Sequence, residues 1–205
     1  MRRRLLLPMV LLAASGCTDS LLASHADAPQ VYRLSAAPAV PGGEALAAAL
    51  SVARPRAAPA LDTDRIAVVQ PASGFDYFSS VRWSEPAPQM LQQMLVEALV
   101  ADGRFATTVA APSRVPTEYL LDIELRRFAA FYVQAGAAPE VRVQWQVTLV
   151  DTRTGVRVTG FVAETTATAT ENRRGAVVAA FEQAASAAVQ DTVARIRAAT
   201  AGLVR

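Results

Sequence analysis

The chain has 205 residues, 52 % of them hydrophobic, with 20 basic and 18 acidic side chains and one cysteine, Cys17. The net charge of +2 becomes −1 (17 basic against 18 acidic) once Arg2, Arg3 and Arg4 leave with a leader, so the charge gives no support to nucleic-acid binding. A lone cysteine excludes an intramolecular disulfide, and packing must therefore stabilise the fold.

Residues 1–16 are predicted to be a signal peptide. Three arginines precede an apolar run of about ten residues, which is too short to span a bilayer core that needs about 20. Ser15 and Gly16 come directly before Cys17, an arrangement that resembles the bacterial lipobox, in which the cysteine is acylated and becomes the first residue of the mature chain. The resemblance implies lipidation of Cys17. A free thiol in a leftover leader is the alternative.

Residues 17–29 are small and polar, and we expect them to tether the lipidated cysteine to a single domain over residues 30–205. Two or more acyl chains, such as palmitate, hold a protein stably to a membrane, whereas one chain does so marginally. Thr18 follows the cysteine in place of the Asp that favours inner-membrane retention in many bacterial lipoproteins. By that resemblance we expect an anchor on the periplasmic face of the outer membrane.

The first half of the domain predicts short strands separated by loops. Residues 31–34 are typical of a first strand, and residues 36–45 of a loop, because they combine two prolines with two glycines. Residues 45–53 are apolar and ambiguous between strand and helix. Residues 65–70 predict a buried strand, and the β-forming aromatic residues of 75–83 predict another.

A helix and a short strand follow. Ser84 is the expected N-cap, with Pro86 and Pro88 confined to the first turn and Gly103 just beyond the C-terminus. Apolar residues recur at helical spacing between these limits, at Leu91, Met94, Leu95, Ala98 and Leu99. Residues 105–110 predict a strand after the helix.

Apolar and polar residues alternate over residues 121–126 in the segment 119–128 and over residues 141–149 in the segment 140–150. This alternation predicts two strands with one buried face each, and Trp145 lies on the buried face of the second. Residues 156–168 return as a hairpin partner. A helix over about residues 175–200 closes the chain, with its apolar stripe at Val178, Phe181, Ala185, Val189, Val193 and Ile196. These elements predict a single α/β domain: a mixed β-sheet with a C-terminal β-hairpin region, covered by two main helices.

Residues with catalytic or metal-binding chemistry are sparse. The only histidine, His25, lies in the tether, which argues against a nucleophile–histidine arrangement. Asp62 and Asp64 lack further ligands nearby and are interpreted as a solvated loop rather than a metal site. Asp122 and Glu124 alternate with apolar residues and fit a solvated strand face better than an acid–base couple. We expect no enzyme activity, no catalytic residue, no metal and no cofactor.

An aromatic group, Phe75, Tyr77, Phe78 and Trp83, is the candidate contact site. These side chains suit a lipid groove or a docking site for a partner, because Tyr and Trp combine an apolar body with a polar tip. An edge strand at this position would also suit addition to a neighbour's sheet. Packing in the core or at the sheet edge is the alternative.

The order and spacing of several short motifs resemble the ABC-type transport auxiliary lipoprotein family. The resemblance starts with "VYRLS" after the lipobox and continues through "DTDRIAV" at residues 62–68, Tyr77 and Arg82-Trp83. It goes on through the helix over residues 91–98, Gly103-Arg104-Phe105, the alternating strands and the alanine-rich last helix. It covers nearly the whole mature chain.

The resemblance implies a mixed-sheet α/β domain without catalysis. Family members act beside an inner-membrane ABC permease and ATPase and an MCE-domain protein that bridges the periplasm. Together with the lipobox, the resemblance leads us to expect a non-enzymatic periplasmic component of a transporter for phospholipid or sterol-like lipid. The resemblance carries over one site residue to this chain, the lipidated Cys17. The sequence leaves open whether the protein forms a homo-oligomer. The alternative function is that of a structural envelope lipoprotein that serves as an assembly or docking module.

Overall fold

The computed structural model describes residues 28–35 and 45–203. The predicted signal peptide, Cys17, most of the tether with His25, and all but the last residue of the predicted 36–45 loop lie outside the described residues.

Eleven helices and strands form the described domain, followed by a 3-10 turn at Ala201–Leu203. The strands and helices are, in chain order, β1 Gln30–Tyr32, β2 Leu46–Val52, β3 Arg56–Ala57, β4 Arg65–Gln70, β5 Gly74–Trp83, α1 Ala87–Asp102, β6 Phe105–Ala110, β7 Tyr119–Phe131, β8 Glu140–Asp151, β9 Arg157–Thr168 and α2 Arg174–Thr200.

One mixed sheet contains all nine described strands, and β7 is its axis. On one edge of β7, the strands β8 and then β9 add antiparallel. On the other edge β2, β3 and β4 follow one another along β7, all parallel to it. The sheet extends outward from β2 through β6 and from β4 through β5 and β1. The ambiguous segment over residues 45–53 is thus a strand.

The alternation of β7 and β8 becomes one buried and one exposed face, as the sequence predicts. Leu121 and Ile123 on β7 and Val143, Trp145 and Val147 on β8 are fully buried. Antiparallel pairing places Ile123 opposite Val147, so their side chains share the face that packs on the helices. The indole Nε1 of Trp145 donates a hydrogen bond of 3.0 Å to Thr192 Oγ1 of α2.

The first helix starts later than predicted. The backbone N–H of Ser84 donates to Tyr32 O, which joins β1 to the end of β5, and Pro86 is the N-cap residue without a side-chain cap. The prediction that Ser84 caps α1 is therefore wrong, because that residue belongs to the strand junction. Gly103 ends the helix as predicted, with φ 69° and its N–H bonded to Val100 O.

Both helices lie side by side in one layer. α2 packs on β8 and β9, and α1 contacts β6, β2 and α2. Their C-terminal ends are joined by an ion pair between the buried Asp102 and Arg197, and by Arg104 Nε, which donates to Thr200 Oγ1 over 3.0 Å. The stripe of α2 is as predicted except at its start, where Val177 is buried and Val178 only half-buried. The predicted fold class is confirmed.

The opposite face of the sheet carries no described helix and is mostly polar. We call it the open face. Asp122 on β7, Gln144 on β8 and Glu164 on β9 lie there, half-buried or exposed. Ion pairs cross it, such as Arg56 to Asp122 at 2.9 Å.

Candidate functional site

The candidate site lies on the open face, where one edge of β7 has no strand beside it. β3 pairs with β7 as far as Leu125, and β4 pairs with it only from Ala130 onward. Between these two points the register of β7 against β8 shifts by one residue, with Arg126 as the inserted residue. A bulge of this kind bends the strand and interrupts pairing. It leaves a recess at the 126–129 edge.

The β4–β5 hairpin places aromatic side chains over this recess. Phe131 of β7 pairs with Val69 of β4, which pairs in turn with Phe75 of β5, so the three side chains share one face. Their neighbours Val68 and Ala130 are buried in the core on the other face, which puts Phe75 on the open face. Phe75 is 46 % exposed, an unusual position for a phenylalanine.

Tyr77 is held beside Phe75 by three contacts. The two rings meet edge to face with 5.3 Å between their centroids. The Tyr77 hydroxyl donates to Ala60 O over 3.1 Å, and the Arg65 guanidinium lies 3.7 Å above the ring centre. These contacts tie the turn over residues 58–61 to the open face, where it forms a wall of the recess.

The recess is a pocket of about 230 Å³ with a mainly apolar surface. We call it the aromatic pocket. Its apolar lining includes Leu61, Val69, Phe75 and Phe131, and its charged lining is Arg126 and Arg127. No acidic side chain among the described residues lines it.

Arginines surround the aromatic pocket and are only loosely neutralised. Arg127 lies 3.7 Å from Glu164, and Arg126 lies 3.4 Å from Glu124, each pair with its side chains about half exposed. Exposed pairs of this kind contribute little and are easily exchanged for other partners. Arg65 forms no ion pair with any residue in the described part of the chain. The site therefore combines an apolar cavity with available positive charge.

The structure separates the four aromatic residues of the candidate contact group. Phe75 and Tyr77 meet at the aromatic pocket, while Phe78 is half-buried against the core. Trp83 is 1 % exposed, with its ring 5.2 Å from Phe181 and 5.8 Å from Phe128. It has no surface with which to contact a lipid or a partner, so for Trp83 the core alternative holds. Aromatic content alone did not point to Arg65, Phe131 or the two arginines of the bulge.

Comparison with known proteins assigns the domain. The family model for the ABC-type transport auxiliary lipoprotein component matches residues 32–194, from β1 to within α2. The chain belongs to this family. The family is one of transport auxiliary components and not of enzymes, and no curated protein matches the chain.

Solved structures share the fold of this family member. Protein XCC0632 from Xanthomonas campestris is 26 % identical, with a TM-score of 0.71 over 85 % of this chain and 95 % of that one. A crystal structure titled only as an uncharacterized protein is 14 % identical, with a TM-score of 0.65 over 83 % and 99 % of the chains. Protein CT253 from Chlamydia trachomatis is 8 % identical, with a TM-score of 0.52 over 77 % and 99 %.

In this auxiliary lipoprotein, the "DTDR" motif at residues 62–65 organises the fold. Arg54 binds Asp62 through both carboxylate oxygens, and this side-chain hydrogen bond lowers the pKa of the Asp62 carboxyl below its usual value. Thr63 O accepts the N–H of Ala87 at the start of α1. Asp64 lies 3.4 Å from Arg82.

Metal-binding geometry was not found in the described residues, where no group of three or more potential ligands occurs. Nor does any described helix have the length and apolar character that a membrane span requires. Asp122 pairs with Arg56 and Glu124 with Arg126, so each carboxylate already has a cationic partner.

Proposed function

We propose that the protein is a non-enzymatic lipoprotein, anchored through Cys17 to the periplasmic face of the outer membrane, that serves an MCE-type lipid transport system with its ABC permease and ATPase. The observation that carries the proposal is the family match over residues 32–194, which runs from the last residue of β1 through β2–β9 to all but the end of α2. The family description states a role in ABC-type transport. The lipid cargo and the MCE partner are the parts that this proposal adds to it.

The position of Cys17 supports the membrane anchor. Cys17 follows an apolar run and two small residues, and its acylation would attach enough hydrocarbon for stable membrane binding. Residues 18–29 separate it from β1. A stretch of that length spans at most about 45 Å when fully extended, which confines the domain to the neighbourhood of the bilayer.

The site chemistry supports binding rather than catalysis. Phe75 and Tyr77 stand beside arginines, a composition that protein interfaces favour. The carboxylates nearest the aromatic pocket, Glu124 and Glu164, lie at the surface beside arginines and outside the lining of the pocket. An accessory that docks a transporter subunit needs such a surface and no reacting group.

The proposal is tested by purifying the lipidated full-length protein from membranes in mild detergent. We expect the MCE protein and the permease to co-purify, and deletion of the gene to disturb the lipid asymmetry of the outer membrane. Cys17→Ser is the matched control: it should remain an unacylated precursor and lose the co-purifying MCE protein. Normal lipid asymmetry in the deletion strain, with neither subunit recovered, would favour the structural envelope lipoprotein instead.

A further inference from the structure

The aromatic pocket has the size of an anchor site. Pockets that enclose whole small molecules are typically about 300–1,000 Å³, whereas this one measures about 230 Å³. It is open at Phe75 and walled by the 58–61 turn, which Tyr77 holds in place. A cavity of this volume accepts one large apolar side chain, but not the full acyl chain of a membrane phospholipid.

The positive charge around the pocket indicates which polar group the ligand carries beside its apolar group. Arg126 and Arg127 line it, and Arg65 lies over Tyr77 without an ion-pair partner in the described chain. Arginine pairs with carboxylates in a directional, two-pronged geometry, and it keeps this capacity while stacked on an aromatic ring. The ligand that complements the site therefore carries an apolar group with a carboxylate close to it.

We infer that the aromatic pocket receives one apolar side chain from a partner polypeptide, whose neighbouring Asp or Glu pairs with the arginines around it. A buried anchor encircled by aromatic and arginine side chains is the composition of an interface hot spot. The inference deepens the proposed function, since the transporter subunits are the partners expected there, but its test identifies the occupant independently.

The occupant is identified by photo-crosslinking in intact cells. The chain contains no lysine, so amine-directed reagents have no side-chain target in it, and Phe75 is instead replaced by p-benzoyl-phenylalanine in the full-length lipoprotein. We expect an adduct with another polypeptide, which mass spectrometry maps to a segment with an apolar residue beside Asp or Glu. The same photo-reactive residue at Val156, which is 61 % exposed and lies in the turn that connects β8 to β9 at the far end of the sheet, should give no such adduct.

The outcomes separate the two proposals. An adduct on the MCE protein or permease supports both, whereas the expected kind of segment on an unrelated polypeptide supports the pocket and counts against the transport assignment. A phospholipid adduct, an adduct with a second copy of the chain, or no adduct overturns the inference about the pocket. Co-purification then decides the transport assignment separately.

Substitutions measure the contribution of each group once the partner is purified. Phe75→Ser should weaken binding at least tenfold, and Arg65→Gln several-fold with a smaller dependence on salt, while Val156→Ser should bind like the wild type. Phe75 in the pocket and Arg65 over Tyr77 both lie at the surface, so circular dichroism should show unchanged folding. Binding within twofold of the wild type for both the Phe75 and the Arg65 variant would overturn the inference.

Discussion

Replacement of Trp145 by alanine should be among the most destabilising single changes in the domain. Trp145 is fully buried on β8, between Leu125 of β7 and Ala163 of β9. Two flanking strands fix the backbone there, so the sheet cannot collapse into the cavity left by the indole. Truncation of a buried tryptophan to alanine typically lowers the free energy of unfolding by about 3–5 kcal/mol, and we expect a decrease in that range.

A matched pair of variants separates the contribution of the indole hydrogen bond to stability from the contribution of the ring volume. Trp145 Nε1 donates to Thr192 Oγ1, whereas Trp83 is equally buried but its Nε1 has no acceptor among the described residues. Trp145→Phe removes ring volume and a hydrogen bond, whereas Trp83→Phe removes ring volume and a buried donor that no described residue accepts. We expect Trp145→Phe to cost at least about 1 kcal/mol more, because it alone gives up a buried hydrogen bond.

The assay is equilibrium unfolding in urea, followed by far-ultraviolet circular dichroism. Intrinsic fluorescence is unsuitable because Trp83 and Trp145 are the only tryptophans, and each substitution removes one of the two. If Trp145→Ala lowers the free energy of unfolding by less than about 1 kcal/mol, the ring does not fill the core as described. Equal losses for the two phenylalanine variants would show that the bond to Thr192 adds nothing to stability.

Three further predictions concern the C-terminal end of α1 and the loop that contains Asp62. Asp102→Ala should cost about 2–3 kcal/mol in the same assay, since it removes the buried partner of Arg197, whose side chain remains partly solvated. Gly103→Ala should cost about 1 kcal/mol from its left-handed backbone alone, because a Cβ there would meet no atom within 4 Å; an unchanged midpoint would contradict this. For Asp62, the folded pKa lies below the unfolded one, so the stability from Arg54 is present above about pH 4 and lost as the pH falls through the folded pKa. The stability difference between wild type and Asp62→Asn should therefore shrink in acid, and a constant difference from pH 6 to about pH 3 would refute it.

Elements in which apolar and polar residues alternate regularly could be predicted from the sequence. Elements that depend on pairing between strands far apart in the sequence could not. The alternation through Trp145 identified β8 and its buried face, because period two admits one exposed and one buried face. The β2 segment is almost uniformly apolar and small, so only its parallel pairing with β6 and β7 decides that it is a strand. Ser84 looked like a helix cap, but its N–H serves the junction with Tyr32 of β1.

The candidate site was predictable by residue type but not by arrangement. The aromatic cluster in β5 marked Phe75 and Tyr77, yet the same criterion included Trp83, which the fold places in the core. Arg126 and Arg127 reach the pocket because a bulge shifts the register after Leu125. The two adjacent arginines interrupt the alternation there, but the interruption does not show which strands pair with β7 on either side of it. The positions where β3 stops and β4 starts are likewise set by pairing with β7.

The division of the sheet into two faces separates stability from recognition. The described helices cover one face and bury Trp83, Trp145 and the apolar rows of β7 and β8, which supply the stability of the domain. The open face needs no such burial and is kept soluble by ion pairs such as Arg56 with Asp122. Within residues 28–35 and 45–203, its aromatic side chains lie near the recess in β7, where Phe75 remains 46 % exposed despite the cost of hydrating its ring. Changes at Phe75 should therefore alter binding while leaving unfolding nearly unchanged, and changes at Trp145 should do the reverse.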